Sequence, residues 1–167
     1  LQDLEAVAVL AKSKNIVTII DNSYCTPLYQ QPLAYGIDLS LQSATKYIGG
    51  HSDTVAGVLS GSKAHMAKIF HSEYMTTGAG ATPFHAWLLL RGLRTLPIRL
   101  ERITKTTYEM IAWLKSQAWV EHLLFPFDAS FPQYELANRQ MKNACGLLTF
   151  SLKAASLMEI ENFCNTL

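Results

Sequence analysis

Charge is scarce in this 167-residue chain. Lys, Arg, Asp and Glu make up 16% of it, and the formal net charge is +1. No run of Lys or Arg appears, so the composition does not suggest a groove that tracks nucleic-acid phosphates or a face for anionic membranes. Long apolar runs are missing too. The longest strongly apolar stretch, Ala86-Trp87-Leu88-Leu89-Leu90, is bounded by His85 and Arg91 and falls far short of the roughly 20 residues a membrane span needs. No charged start followed by an apolar core opens the chain, so no secretory leader is expected. Cys25, Cys145 and Cys164 are odd in number and widely spaced. They read as free thiols in a reducing compartment, which points to the cytoplasm. His65, His71 and His85 lack a Cys partner or a His-x3-His spacing, and no metal site is expected. No internal repeat or low-complexity segment is visible.

What is present fits a well-buried globular protein, with a hydrophobic share of 49%. The chain opens without Met in one helical pattern and closes inside another, so it reads as a portion of a longer protein. Leu4, Val7, Leu10 and Ala11 predict a helix ended by Lys12 to Asn15. Ile16-Val17-Thr18-Ile19-Ile20 predicts a buried strand running into Asp21. A loop, Asn22 to Pro32, leads to a second strand in which Ile37, Leu39 and Leu41 alternate with Asp38, Ser40 and Gln42, ending at Ser43. Gly49-Gly50 predicts a turn and Thr54 to Ser60 a third strand. This order predicts an α/β layer with a largely parallel sheet.

Helices are predicted over Ser62 to Tyr74 and Pro83 to Arg94, with Pro97 starting a further long one to about Ser116. Strands Val120 to Phe125 and Leu147 to Leu152 follow, with helices at Tyr134 to Met141 and Leu157 to Asn165. Trp87 and the leucines after it read as helix core, and Arg91 and Arg94 as complements to a helix end. The texture divides the chain into residues 1–95 and a second unit, residues 96–167.

In open α/β sheets, ligands sit beyond the carboxyl ends of the strands. Asp21 closes the first strand, and Ser43-Ala44-Thr45-Lys46 closes the second. A carboxylate, an amine and small hydroxyls in one pocket are the groups that pyridoxal 5′-phosphate (PLP) chemistry needs. The lysine amine forms a Schiff base with the coenzyme aldehyde, the acid keeps the ring nitrogen protonated, and hydroxyls hold the phosphate. On residue types alone, a surface lysine and a turn-forming aspartate fit as well.

A longer pattern separates these readings. Asp21-Asn22-Ser23-Tyr24-Cys25-Thr26-Pro27, followed by Ser43-Ala44-Thr45-Lys46-Tyr47-Ile48-Gly49-Gly50-His51-Ser52-Asp53, resembles the coenzyme-lysine region of the Cys/Met metabolism (trans-sulfuration) enzymes. These include cystathionine γ-lyase, cystathionine γ-synthase and methionine γ-lyase. The likeness continues through Pro83 to Leu96, Glu135 to Met141 and Gly146 to Ser151, essentially the whole chain. It implies a fold-type I, aminotransferase-like α/β architecture. Residues 1–95 would be the C-terminal part of the large coenzyme domain, and 96–167 the start of the small C-terminal α+β domain.

The resemblance further implies that Lys46 binds the coenzyme covalently and then moves substrate protons. Asp21 would pair with the pyridine nitrogen, Ser43 and Thr45 would contact the phosphate, and Ser23, usually Thr in the family, would lie near the ring. Cys25 reads as a small loop residue, not a catalytic thiol, and His51 and Asp53 read as shaping the turn.

Family members are more than twice as long. Their aromatic stacking residue, Gly-rich phosphate turn, neighbouring-subunit Tyr-x-Arg element and substrate-carboxylate arginine lie outside this sequence. The resemblance therefore implies a carbon–sulfur lyase acting by β- or γ-elimination on a sulfur amino acid, assembled as a dimer of dimers, with this chain inactive alone. A γ-replacement enzyme and a non-catalytic scaffold are the alternatives.

Overall fold

Asp3 starts the first element. Its carboxylate accepts the Ala6 N–H at 3.1 Å, satisfying one of the donors a helix start leaves open. In the computed structural model, which describes residues 1–166, the helix that follows is α1, Leu4–Ser13. It buries Leu4, Ala8 and Ala11, and Leu4 and Ala8 pack with Ile37, Ile20 and Tyr35. Val7 and Leu10, expected on the buried face, are exposed.

Three strands form the first sheet: β1, Ile19–Asp21; β2, Leu39–Ser43; and β3, Gly57–Gly61. Between β1 and β2 the chain makes a short helix, α2, Thr26–Tyr29, and one 3-10 turn, Pro32–Tyr35. The strand order is β1-β2-β3. β1 runs parallel to β2, with Asp21 opposite Leu41, whereas β3 runs antiparallel to β2, with Ser43 opposite Gly57. The expectation of a largely parallel sheet is thus met at one pairing and corrected at the other. The link from β2 to β3 contains no α-helix to carry the chain back to the start of a parallel strand. β1 is also shorter than expected. Ile16 and Val17 precede it, and Ile19 is 61% exposed because it points away from the face on which Ile20 packs against Leu4 and Ala8.

Beyond β3, Ser62 accepts the His65 N–H and starts α3, Lys63–Ile69. One π-helical turn, Phe70–Tyr74, leads into the short α4, Met75–Thr77.

The largest departure from the sequence expectation is α5, a single helix over Pro83–Lys115. Thr82 caps it, and Pro97 lies inside it. A proline in a helix interior costs about 3 kcal/mol. However, one buried stripe passes through this position unbroken: Leu88, Leu89, Gly92, Leu96, Leu100, Thr104, Thr107, Ile111 and Leu114. Each fully buried Leu or Ile returns about 1.5–3 kcal/mol, so burial outweighs the local penalty. Arg99 and Thr95 also donate to the Gly92 carbonyl, at 2.9 and 3.2 Å; the carbonyl that the proline leaves without its helical donor is that of Leu93. The boundary expected at 95–96 falls inside this helix.

The second sheet pairs β4, Val120–Leu124, with β5, Thr149–Leu152, antiparallel and with a bulge near His122. Helices α6, Tyr134–Gln140, and α7, Leu157–Cys164, flank it in sequence. Ile111, Leu114, Leu123, Phe125, Ala137, Met141 and Ala144 form the main core, and Cys25 from the loop after β1 joins them. The Leu4 N–H to Gln140 bond (3.3 Å) and the Arg139–Asp3 ion pair (2.6 Å) tie α1 to α6. No helix among the described residues is long and apolar enough to cross a membrane.

Candidate active site

Parallel pairing of β1 and β2 puts the ends of both strands at one edge of the sheet. Asn22 N–H continues the ladder onto Leu41 O at 2.8 Å. Just beyond, the Ser23 hydroxyl accepts the Ser43 N–H, so the two loops are joined side chain to backbone. Asp21 Oδ1 accepts the Ser23 N–H at 2.9 Å. The chain then turns tightly, with Lys46 N–H on Ser43 O (3.1 Å), Gly49 N–H on Ala44 O (2.7 Å) and Gly50 N–H on Lys46 O (2.8 Å).

A cleft of about 1450 Å³ opens here, and Lys46, Thr45 and Ser23 line it. Asp21 and Ser43, at the strand ends, are not among the lining residues: Asp21 is exposed and Ser43 half-buried. Among the sequence-expected site residues, Ser23 and Ser43 touch each other directly. Thr45 is placed differently: its hydroxyl accepts the Ala56 N–H (3.0 Å) and donates to Ala56 O (3.3 Å), so it pins β3 to the lysine turn.

The donor set fits PLP. Among the described residues, Lys46 has no ion-pair partner and Asp21 Oδ2 accepts no hydrogen bond. Ser23, as an acceptor from Ser43, keeps its own proton to donate. The cleft exceeds the roughly 300–1,000 Å³ that encloses a drug-sized ligand, leaving room for a coenzyme and an amino acid together.

The cleft's other walls were not singled out from the sequence. Tyr24 and Tyr47 follow Ser23 and Lys46 in their loops, and Arg99, Arg102, Ile103 and Leu147 line the same cleft. Arg99 reaches from α5 to donate to Tyr47 O at 2.7 Å and Ile48 O at 3.3 Å. On the same helix Gly92 faces this turn, where a Cβ would lie 2.2 Å from Ile48 O and 2.5 Å from Gly49 O. Only a residue without a side chain lets α5 approach so closely. Gly50, at φ +74°, occupies the left-handed region and leaves the space the Arg99 guanidinium fills.

His51 Nδ1 bonds Gly49 O at 2.7 Å, and Asp53 pairs with Arg91, so both shape this turn. Arg91 is therefore not a helix-end complement: it sits well inside α5, paired to Asp53 and lying over the Trp87 ring. Trp87 and Leu90 are more than half exposed, while Leu88 and Leu89 are buried. The apolar run after His85 is thus core on one face only, as the helical period requires. Of the three histidines, His85 alone lines the cleft.

Burial sets the thiol chemistry. Cys25 is pushed up to about 12 by burial and by the nearby Cys145 thiol, and burial pushes Cys145 to about 12 as well. Burial also raises the Tyr24 and Tyr47 phenols. All four groups stay protonated at neutral pH, and Cys25 is a core residue, 3% exposed.

Comparison with known proteins agrees with this geometry. The family described as Cys/Met metabolism PLP-dependent enzyme matches residues 1–167. L-methionine γ-lyase of Pseudomonas putida is 41% identical over 152 residues, covering 90% of this chain and 38% of that protein. Cystathionine β-lyase of Coxiella burnetii is 38% identical over 152 residues, covering 90% of this chain and 39% of that protein. The crystal structure of cystathionine γ-synthase from Xanthomonas oryzae pv. oryzae, in complex with aminoacrylate and cysteine, superposes with a TM-score of 0.91 at 35% identity. It covers 98% of this chain and 42% of that one. Cystathionine γ-lyase from Lactobacillus plantarum, complexed with L-serine, gives 0.87 at 31% identity, over 92% of this chain and 40% of that one. The chain thus spans about two fifths of the length of such relatives, and its fold is that of the fold-type I PLP enzymes. A lysine turn between paired strand ends and a match over every residue lead to one conclusion: the chain belongs to the Cys/Met metabolism PLP-dependent enzyme family.

Proposed function

We propose that the intact protein is a PLP-dependent carbon–sulfur lyase of sulfur amino-acid metabolism, acting by β- or γ-elimination on cystathionine, methionine or a related amino acid. The observation that carries this reading is Lys46, which opens on the cleft beside Ser23 without an ion-pair partner among the described residues. Cystathionine and methionine lyases among the relatives support the substrate class.

In this reading Lys46 would hold the coenzyme covalently, and its amine, when free, would take and return the proton at the substrate α-carbon. Asp21, through the carboxylate oxygen that Ser23 leaves free, would be the acid partner of the ring nitrogen. Ser43 and Thr45 would offer hydroxyl donors to the phosphate, Thr45 on giving up Ala56 O, and Ser23 would lie near the ring. The bound coenzyme supplies the electron sink that makes the α-proton acidic.

Residues 1–95 are assigned to the large coenzyme domain and 96–167 to the small C-terminal domain, with α5 as the continuous link. The intact protein is proposed to be a cytoplasmic homotetramer built from two dimers. Ile19, Val55 and Ile98, all well exposed here, are apolar surface that an assembled protein would cover.

Borohydride reduction of the full-length, PLP-saturated protein, followed by peptide mapping, tests the site: a pyridoxyl adduct on Lys46 is expected. No adduct anywhere overturns the reading in favour of a scaffold. The likeness to cystathionine γ-synthase at a TM-score of 0.91 favours a second reading, γ-replacement. Turnover of cystathionine, methionine and an activated homoserine separates the two. The 167-residue chain alone is expected to release no α-keto acid.

A further inference from the structure

Two phenols converge on one dipeptide. Tyr47, next to Lys46, accepts the Gly146 N–H at 3.1 Å. Tyr24, next to Ser23, donates to Leu147 O at 2.9 Å. Each coenzyme loop thus extends one tyrosine to the same pair of residues, a segment without regular structure just before β5. That segment is a wall of the cleft, because Leu147 lines it together with Lys46.

The segment is also closely seated from behind. Cys145 is fully buried and packs with Leu96, Leu100 and Tyr47, and a Cβ on Gly146 would lie 2.9 Å from Ile103 Cγ2 on α5. Upstream, Thr104 donates to Ala144 O at 3.4 Å, and Lys142 N–H bonds Tyr29 O at 2.7 Å. Between Cys145 and β5, the two phenols are the bonds that reach the coenzyme loops.

We propose that Tyr24 and Tyr47 are positioning residues that together hold Gly146–Leu147 as the cleft wall, and so fix where an amino-acid substrate meets Lys46. The proposal rests on the reading of Lys46 as the coenzyme residue. Two anchors on one dipeptide make a specific demand. Loss of one leaves the other to hold the wall, and loss of both releases it, so the effects exceed the product of the single changes.

The test uses the full-length protein as wild type, Tyr24→Phe, Tyr47→Phe and the double variant, with cystathionine as substrate. Phenylalanine keeps the ring and removes only the hydroxyl. Each single change should raise KM about threefold to tenfold, what one neutral hydrogen bond is worth. kcat and the absorbance of bound coenzyme should change little, and the double variant should exceed the product of the singles. A second readout needs no turnover: iodoacetamide labelling of Cys145, followed by mass spectrometry, should accelerate in the double variant. Wild-type KM and wild-type Cys145 labelling in the double variant would overturn the proposal, as would KM unchanged with coenzyme lost. If wild type forms no Lys46 adduct, the coenzyme reading fails separately, and Cys145 labelling alone judges the clamp.

Discussion

Gly92→Ala sets two physical effects against each other with opposite signs. In an exposed helix interior, this change stabilises by about 1 kcal/mol through backbone entropy. Here the new methyl would meet Ile48 O at 2.2 Å and Gly49 O at 2.5 Å, where ordinary contact begins near 3.4 Å. The obstacles are main-chain atoms, so no side chain can swing aside. Either α5 or the lysine turn must retreat by about 1 Å, at the 1–3 kcal/mol typical of overpacking or above it. Retreat also stretches the Arg99 bonds to Tyr47 O and Ile48 O, each about 1.5–3 kcal/mol for a charged donor. Even with partial relaxation the sum exceeds the helix gain, and a net loss of about 2 kcal/mol is expected. Thermal unfolding of the full-length protein at matched concentration measures it, and borohydride labelling of Lys46 should fall in parallel. A variant as stable as wild type, or more so, refutes the close approach.

Pro97→Ala should stabilise by about 1 kcal/mol or more, since the buried stripe already carries α5 and the proline only removes a donor; a lower melting temperature counts against this account. Phe125→Ala, at a fully buried core position, should cost about 3–5 kcal/mol in denaturant unfolding. Arg91→Ala, in contrast, should cost less than about 1 kcal/mol, because its pair with Asp53 is solvent-accessible. The Thr18 backbone N–H and hydroxyl, both 2.8 Å from Asp38 Oδ2, hold that carboxyl below its ordinary value of 3.8. A lowered folded-state pKa contributes stability above pH 3.8 and loses it as pH falls through the folded value. Asp38→Asn should therefore flatten the acid limb of the stability curve below about pH 4, and an unchanged limb would show that Thr18 does not govern it.

How much of this could be read from residues alone depended on the range of the forces involved. The strand after Pro32, the turn at Gly49-Gly50 and the helix starts near Leu4, Ser62 and Pro83 are local, and the sequence pattern locates them closely. The family was legible at the lysine turn because its side chains follow one another in a fixed order. Pro97 misled for the opposite reason: a strong local rule suggested a helix start, and a stripe of buried residues on both sides overruled it. Arg91 looked like a helix-end charge because the end itself was misplaced. Arg99 carried no signal at all. On one helix it resembles any surface arginine, and only the fold brings the distant Tyr47 and Ile48 carbonyls within its reach. Tyr24 and Tyr47 lay inside the recognised motif, yet their acceptor and donor lie more than a hundred and nearly a hundred residues away.

Arg99 is bound by the carbonyls of Tyr47, Ile48 and Gly92 and by the Thr95 hydroxyl. All four acceptors are neutral dipoles, which immobilise a cation without cancelling it. Unlike Arg91, whose charge an aspartate offsets, Arg99 passes its field on to the space in front of it. A cation held by four bonds in the cleft wall favours small anions there before any of them makes contact. Such a field reaches about 10 Å at 0.1 M salt and about 3 Å at 1 M, so capture of a phosphate-bearing coenzyme by the intact protein should slow as ionic strength rises.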